Sequence, residues 1–347
     1  LTKVYRLITT DPTFPDLLSR FRRGQLNPED LNYLNSMSLG APGKPASVAD
    51  VQNSSIVVQR HSVIDILTDE LVKRAAAAQR RQLFTWHSGD GGKKYRRAGH
   101  VDEQSRAQRV GYYYSGMRAI AIRTLAENWG IVNNGPLVLV GICPHPDEPA
   151  FDDSAPVVEL QYMPLHILVQ TTRQIRFHDS LPPRQVPLRP EQFWARQNRT
   201  RLVEHQQFPY VPDVAITHFA SQGAEFPGPV ILDLVRPDVG PYSFAVVYVM
   251  LTRGRDPSKI FLLRPLFAAD EADAEVPALL YHLYPPQDLL AFYYDIDHPN
   301  ATGQERRTFL RDCDNRRKEL ARGKRSAARH RPKCEDCQTV RDRFSDI

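Results

Sequence analysis

A chain of 347 residues is longer than one packed core usually serves, so two or three units are expected, and a composition 41% hydrophobic gives each of them apolar material to bury. The apolar runs are short and broken by Pro, Arg or Asp, which argues against a bilayer-spanning helix and leaves a soluble protein with no membrane partner as the expectation. The net charge of +5 is unevenly placed: residues 301–347 hold 14 of the 45 Lys and Arg against 8 of the 40 Asp and Glu, while the rest of the chain is close to neutral.

The first predicted elements form a helical hairpin. Phe14, Leu17, Leu18 and Phe21 recur at helical spacing, and Asn27 followed by Pro28 opens a second short helix through Leu31 and Leu34. The β-branched run "SSIVVQ" predicts a strand at 54–59, the sequence to residue 81 has helical periodicity, and "QLFTW" at 82–86 reads as a strand again. Strand, helix, strand predicts a βαβ unit on a parallel sheet. The Gly-rich, charged "HSGDGGKKYRRAGHVDEQSR" that follows is read as a loop.

From about residue 110 the texture changes. "YYYSGMRAIAIRT", "GPLVLVGICP", "APVVELQY" and "HILVQ" are short strand candidates with no helix between them, which predicts a small inserted β-barrel or sheet over roughly 110–210. The α/β texture resumes with "VAITHFASQG", "PGPVILDLV", "FAVVYVMLTR" and "KIFLLRPL". After residue 268 come an acidic stretch, a weak helix around "PPQDLLAFYYDI" and the basic tail. That tail reads either as an electrostatic footprint for DNA or RNA or as a solvated, disordered end.

Leu1 stands where a start Met would, no export signal follows, and the sequence reads as a fragment. Four cysteines are too few and too scattered for a disulfide framework, so a reducing, intracellular setting is expected. Cys334 and Cys337 form a C-x-x-C pair that, with Cys313 and His330, has the ligand types of a zinc site; the alternative is a polar tail with incidental thiols.

Four segments occur in the order seen in superfamily 1 DNA helicases: "LTKVYRLITTDPTFPDLLSRFRRGQLNPEDLNYLNSM", "YYYSGMRAIAIRTLAENWGIVNNGP", "AITHFASQGAEFPGPVILDL" and "FAVVYVMLTRGRDPSKIFLLRP". Over residues 1 to about 267 the chain most resembles the petite-integration-frequency and helitron-encoded group, especially its transposon-related fungal forms. The resemblance implies an α/β fold in which 1–109 and 211–267 form a second RecA-like motor domain, 110–210 an inserted β-barrel-like subdomain, and 268–347 an extension.

It also implies roles. Helicases of this kind hydrolyse ATP with Mg²⁺ between two motor domains, and the second domain sends arginines to the phosphates. Arg6 and Arg253 match those arginines, with Arg255 either a helper or a partner in a surface ion pair. The stretch 216–226 resembles the family's T-x-H-x-x-Q-G loop, which touches single-stranded DNA and couples it to the nucleotide. Thr217, Gln222 and Gly223 match it; Phe219 stands where many members have His, and His218 lies one residue earlier. Thr217 and Ser221 hydroxyls would hold phosphate, Gly223 would admit a ligand close to the backbone, and Glu225 would accept from a ribose hydroxyl or sit as a solvated turn carboxylate.

The lysine-bearing G-x-x-x-x-G-K-[ST] loop and the acidic Mg²⁺ ligand of the first motor domain do not occur in these 347 residues, so this fragment is expected to bind no nucleotide stably and to hydrolyse none alone. Two classes of function stay open: the C-terminal half of an ATP-dependent helicase acting on single-stranded DNA or DNA junctions with a separate first motor domain, or a nucleic-acid-binding relic without turnover.

Overall fold

The computed structural model describes residues 12–51, 54–59, 61–88, 108–174, 176–197, 201–218, 221, 226, 228–235 and 242–327. The chain divides into two compact units, Leu1–Gln59 with Ile216–Ile347, and Arg60–Ala215.

In the first unit the helical hairpin forms as its spacing predicts. α1 (Thr13–Arg22) buries Phe14, Leu17, Leu18 and Phe21, and α2 (Pro28–Ser36) buries Leu31 and Leu34. Asn27 caps α2 reciprocally: its side chain accepts from the Asp30 amide at 2.8 Å while the Asp30 carboxylate accepts from the Asn27 amide at 3.3 Å. Asp30 also takes the Arg20 Nε at 3.1 Å, which raises the Arg20 pKa and ties the two helices together.

A four-stranded sheet lies beside the hairpin in the order β12 (Ala215–Thr217), β1 (Ser55–Val58), β13 (Val230–Leu232), β14 (Ile260–Leu262). β1 pairs in parallel with β13, Ile56 opposite Ile231, and β13 in parallel with β14, Ile231 opposite Phe261. All three residues of β13 and of β14 are buried, the pattern of a parallel sheet covered on both faces. The coverage comes in part from α1 and from α4 (Phe244–Leu251), whose Phe244 ring meets Phe21 edge to face at 4.9 Å. Three later helices belong to the same unit: α5 (Ala272–His282), α6 (Gln287–Asp297) and α7 (Gly303–Ala327).

The second unit begins with α3 (His61–Ala78) and β2 (Leu83–His87). β2 pairs with β3 (Val110–Tyr113) antiparallel and with β6 (Val157–Glu159) in parallel. A five-stranded antiparallel sheet follows the order β11 (Tyr210–Pro212), β4 (Arg118–Ala121), β5 (Pro136–Cys143), β7 (His166–Gln170), β8 (Gln185–Leu188), and β9 (Glu191–Gln197) pairs with β10 (Arg201–Gln207) as a hairpin. Trp86 sits in the shared core, donating to the Gln207 Oε1 at 3.0 Å.

Three expectations are corrected. β2 does not join the parallel sheet, because β1 already has β12 and β13 on its two flanks and offers no edge; α3 and β2 therefore pack in the second unit, whose start at Arg60 precedes residue 110. Among the described residues the strands of that unit are shared among three sheets in place of one closed barrel. Residues 303–327 of the basic tail are a continuous helix, ordered because Phe309, Cys313 and Leu320 form an apolar stripe, with Phe309 stacked on Tyr294 at 4.3 Å and Leu320 against the core of the first unit. The Gly-rich segment 89–107 lies outside the described residues.

Candidate functional site

The site is built from the two segments that flank β13 and β14. At the end of β12 the His218 amide donates to the Val58 carbonyl at 2.9 Å, which carries the chain past the end of β1. A turn follows: the Ser221 amide donates to the Thr217 carbonyl at 3.0 Å and the Ser221 hydroxyl to the His218 carbonyl at 2.8 Å. Thr217, His218 and Ser221 are 6%, 4% and 0% exposed, so the Ser221 hydroxyl holds the turn together from inside, and a contact from it to a phosphate requires the turn to rearrange. Burial lowers the pKa of the His218 ring, an effect that the nearby Val58 backbone only partly opposes, so the ring is neutral at pH 7.

α4 delivers the second segment. Its apolar face, Phe244, Val247, Met250 and Leu251, is buried, and the helix ends at Thr252, whose hydroxyl donates to the Val249 carbonyl at 2.9 Å. Arg253 folds back over that end. Its Nε donates to the Val249 carbonyl at 2.9 Å, its Nη2 to the Thr252 Oγ1 at 3.2 Å, and its Nη1 to the Ser221 carbonyl at 3.4 Å. The backbones meet as well: Phe226 pairs with Gly254 as a parallel bridge, its amide 3.5 Å from the Arg253 carbonyl. A side chain on Gly254 would lie 2.6 Å from the Ile260 Cγ1, so only glycine lets the turn pack this closely on β14. The two sequence motifs are thus joined in one unit by a guanidinium and a backbone bridge.

Arg255 is exposed. Asp256 accepts from the Ser258 amide at 3.0 Å and hydroxyl at 2.6 Å, bonds that lower its pKa, and lies 3.6 Å from the Lys259 ammonium. It therefore serves the turn at Pro257–Lys259.

One part of this region was not singled out in the sequence. At the ends of β13 and β14, Asp233 and Arg264 form a two-pronged ion pair, Nε to Oδ1 at 3.0 Å and Nη2 to Oδ2 at 3.2 Å, with side chains 4% and 11% exposed. Gln59, just after β1, donates to the carbonyls of Asp233 and Val235 at 3.2 and 3.1 Å. These groups brace the edge of an open parallel sheet where ligands bind as a rule. Their signal in the sequence is a charged residue closing each buried apolar run, "VILD" and "IFLLR".

Arg6, Gln222, Gly223 and Glu225 lie outside the described residues, as do His330, Cys334 and Cys337. Cys313 is buried in α7, where burial raises its thiol pKa. Among the described residues there is no cluster of three or more His, Cys, Asp or Glu arranged to hold a metal.

No protein-family model matches the sequence, and no curated protein matches it. Among solved structures the chain is similar to a Pif1 helicase from Candida albicans, at 16% identity and a TM-score of 0.46, over 82% of this chain and 58% of that one. It is similar also to a Bacteroides Pif1 helicase in complex with ADP-AlF3 and ssDNA, at 16% identity and a TM-score of 0.45, over 86% of this chain and 56% of that one. A third is a structure of two coordinating Pif1 helicases at forked dsDNA, at 15% identity and a TM-score of 0.46, over 85% and 54%. The chain thus spans a little over half the length of each.

Proposed function

We propose that this chain acts as the second motor unit of an ATP-dependent DNA helicase of the petite-integration-frequency and helitron-encoded type, completed by a first motor domain that supplies the phosphate-cradling loop and the Mg²⁺ ligand. In this reading Arg253, with Arg6, stabilises charge on the transferring phosphoryl group, and the loop 217–226 meets single-stranded DNA. The observation that supports it most is the Arg253 contact to the Ser221 carbonyl, because a hydrogen bond between Arg253 and the 217–226 segment is the kind of link that coupling of nucleotide to strand would need.

That bond suggests how the two events couple. A neutral carbonyl 3.4 Å away is a weak acceptor, whereas a phosphate oxygen forms a charge-assisted bond roughly twice as strong. When phosphate reaches the guanidinium, the Ser221 carbonyl loses its donor and the turn is released to adjust its hold on the strand. Hydrolysis and phosphate departure return Arg253 to Ser221. Bound ATP supplies the phosphoryl group; this chain's residues orient it and relay its presence.

The test joins a first motor domain to this chain and measures ATP turnover, single-strand affinity with and without nucleotide, and melting temperature. Arg253→Ala is expected to lower turnover by roughly a thousandfold or more, within the range for loss of an arginine finger. It should leave nucleotide-free DNA affinity within a few-fold while removing the nucleotide-dependent change. Arg253→Lys should rescue little, since a point charge lacks the planar fork. Near-parent turnover for Arg253→Lys, or an activity loss that tracks unfolding, overturns the assignment.

A further inference from the structure

Helix α7 carries the charge that the sequence placed in a tail. Over Gly303–Ala327 it has nine Lys and Arg against four Asp and Glu, so most of the C-terminal excess lies on a helix of 25 residues. At about 100° per residue, Arg307, Arg311, Lys318 and Arg322 fall within about 60° of one another, on the side away from Phe309, Cys313 and Leu320. Arg307 to Arg322 spans about 22 Å at 1.5 Å per residue. All four basic side chains are exposed. Of the acids on the helix, Asp314 pairs with Lys318 at 2.6 Å, Glu319 lies 4.0 Å from Arg316 and Glu305 accepts from the Thr302 amide at 2.7 Å, which leaves Arg307, Arg311 and Arg322 as the cationic row.

We infer that this face of α7 docks on the phosphate backbone of double-stranded DNA. The choice of occupant follows from what the face holds and lacks. An anionic membrane is recognised by a helix that also inserts apolar side chains, but the apolar stripe of α7 is committed to the core of its own unit. A protein partner is gripped through aromatic or aliphatic anchors, and single-stranded nucleic acid through aromatic stacking; the row offers neither. What it offers is a straight, rigid line of guanidinium groups, which suits the fixed phosphate array of a duplex, where two strands supply one charge per about 1.7 Å of axis. Contacts of this type position the protein without reading sequence. The inference rests on the helicase reading only for the biological setting, a motor held on the duplex beside the strand it moves along, and uses none of the residues assigned to nucleotide or single strand.

The experiment uses the whole chain without nucleotide. Binding to a duplex of about 20 base pairs and to one of its strands is followed by fluorescence anisotropy across a salt series, for the parent, Arg311→Ala/Arg322→Ala, and Arg316→Ala/Arg317→Ala. The last pair removes the same charge from positions more than about 100° away on the same helix. The stripe pair is expected to reduce the magnitude of the duplex salt slope by about 1.8, from about 0.9 per phosphate contact, with melting temperature unchanged. The control pair should change the slope by less than half as much, and the single-strand slope should move less than the duplex slope. Equal effects of the two pairs would mean net charge alone acts, and no effect of the stripe pair would remove α7 from DNA binding. A single-strand slope that falls as far as the duplex slope overturns the duplex assignment. Arg253 is intact throughout, so each of these failures leaves the phosphate reading to its own test.

Discussion

The sheets of the two units place their usable side chains differently. In the first unit β13 and β14 are three-residue strands buried at every position, as parallel strands covered on both faces must be. No side chain within them is available to a ligand, so chemistry is pushed to the strand ends and connections, where Asp233, Arg264, Arg253 and the turn at Ser221 are found. In the second unit β7 alternates half-buried and buried residues, as does β8, leaving one face toward water. The lesson is that a covered parallel sheet gathers its polar groups at an edge, while an open antiparallel sheet spreads them over a face.

The largest effect is expected at the braced edge of the first unit. Asp233→Ala leaves the Arg264 guanidinium buried without its carboxylate, and removal of one partner from such a pair costs about 3–5 kcal/mol. Hydrogen exchange read residue by residue should show protection falling in β1, β13 and β14 while the amides of β4, β5 and β7 keep theirs. A uniform loss in both units would mean that the edge is not a local brace.

A smaller effect is expected from the second unit. A side chain on Gly111 would lie 2.1 Å from the Trp86 Cε2, directly across the β2–β3 ladder, and overpacking of this kind costs about 1–3 kcal/mol. Gly111→Ala should shift the Trp86 fluorescence and lower protection in β2 and β3, leaving β13 unchanged. An unperturbed indole would show that the ladder yields without cost.

The smallest effect is a pH dependence. The folded-state pKa of His218 lies below its unfolded value near 6.5 because burial disfavours the imidazolium. The unfolded chain therefore binds a proton more readily, and the stability that His218 contributes is full above about pH 6.5 and is lost as pH falls through that value toward the folded pKa. His218→Gln should flatten the melting curve against pH between about 7 and 5. An unchanged slope assigns the pH dependence to other groups.

Elements with strong local grammar were legible in residue order alone. The helical hairpin followed from its 3.6-residue spacing and from Asn27–Pro28 at a helix start, which the capping box realises. Which strand lies beside which was not legible in this way: β2 follows a helix as a βαβ partner would, yet both flanks of β1 are taken by strands more than 150 residues further along the chain. The candidate site divides in the same way. Arg253 was named from its motif, but its hold on the Ser221 carbonyl joins residues 32 positions apart, and the Asp233–Arg264 pair joins residues 31 apart, distances at which composition and periodicity are silent. The basic excess was countable in the sequence, yet its place on a helix depended on an apolar stripe finding a core to cover it. Periodicity and motifs record local preference, whereas strand order, buried ion pairs and the face a helix shows to water are decided only when distant segments compete for the same buried surface.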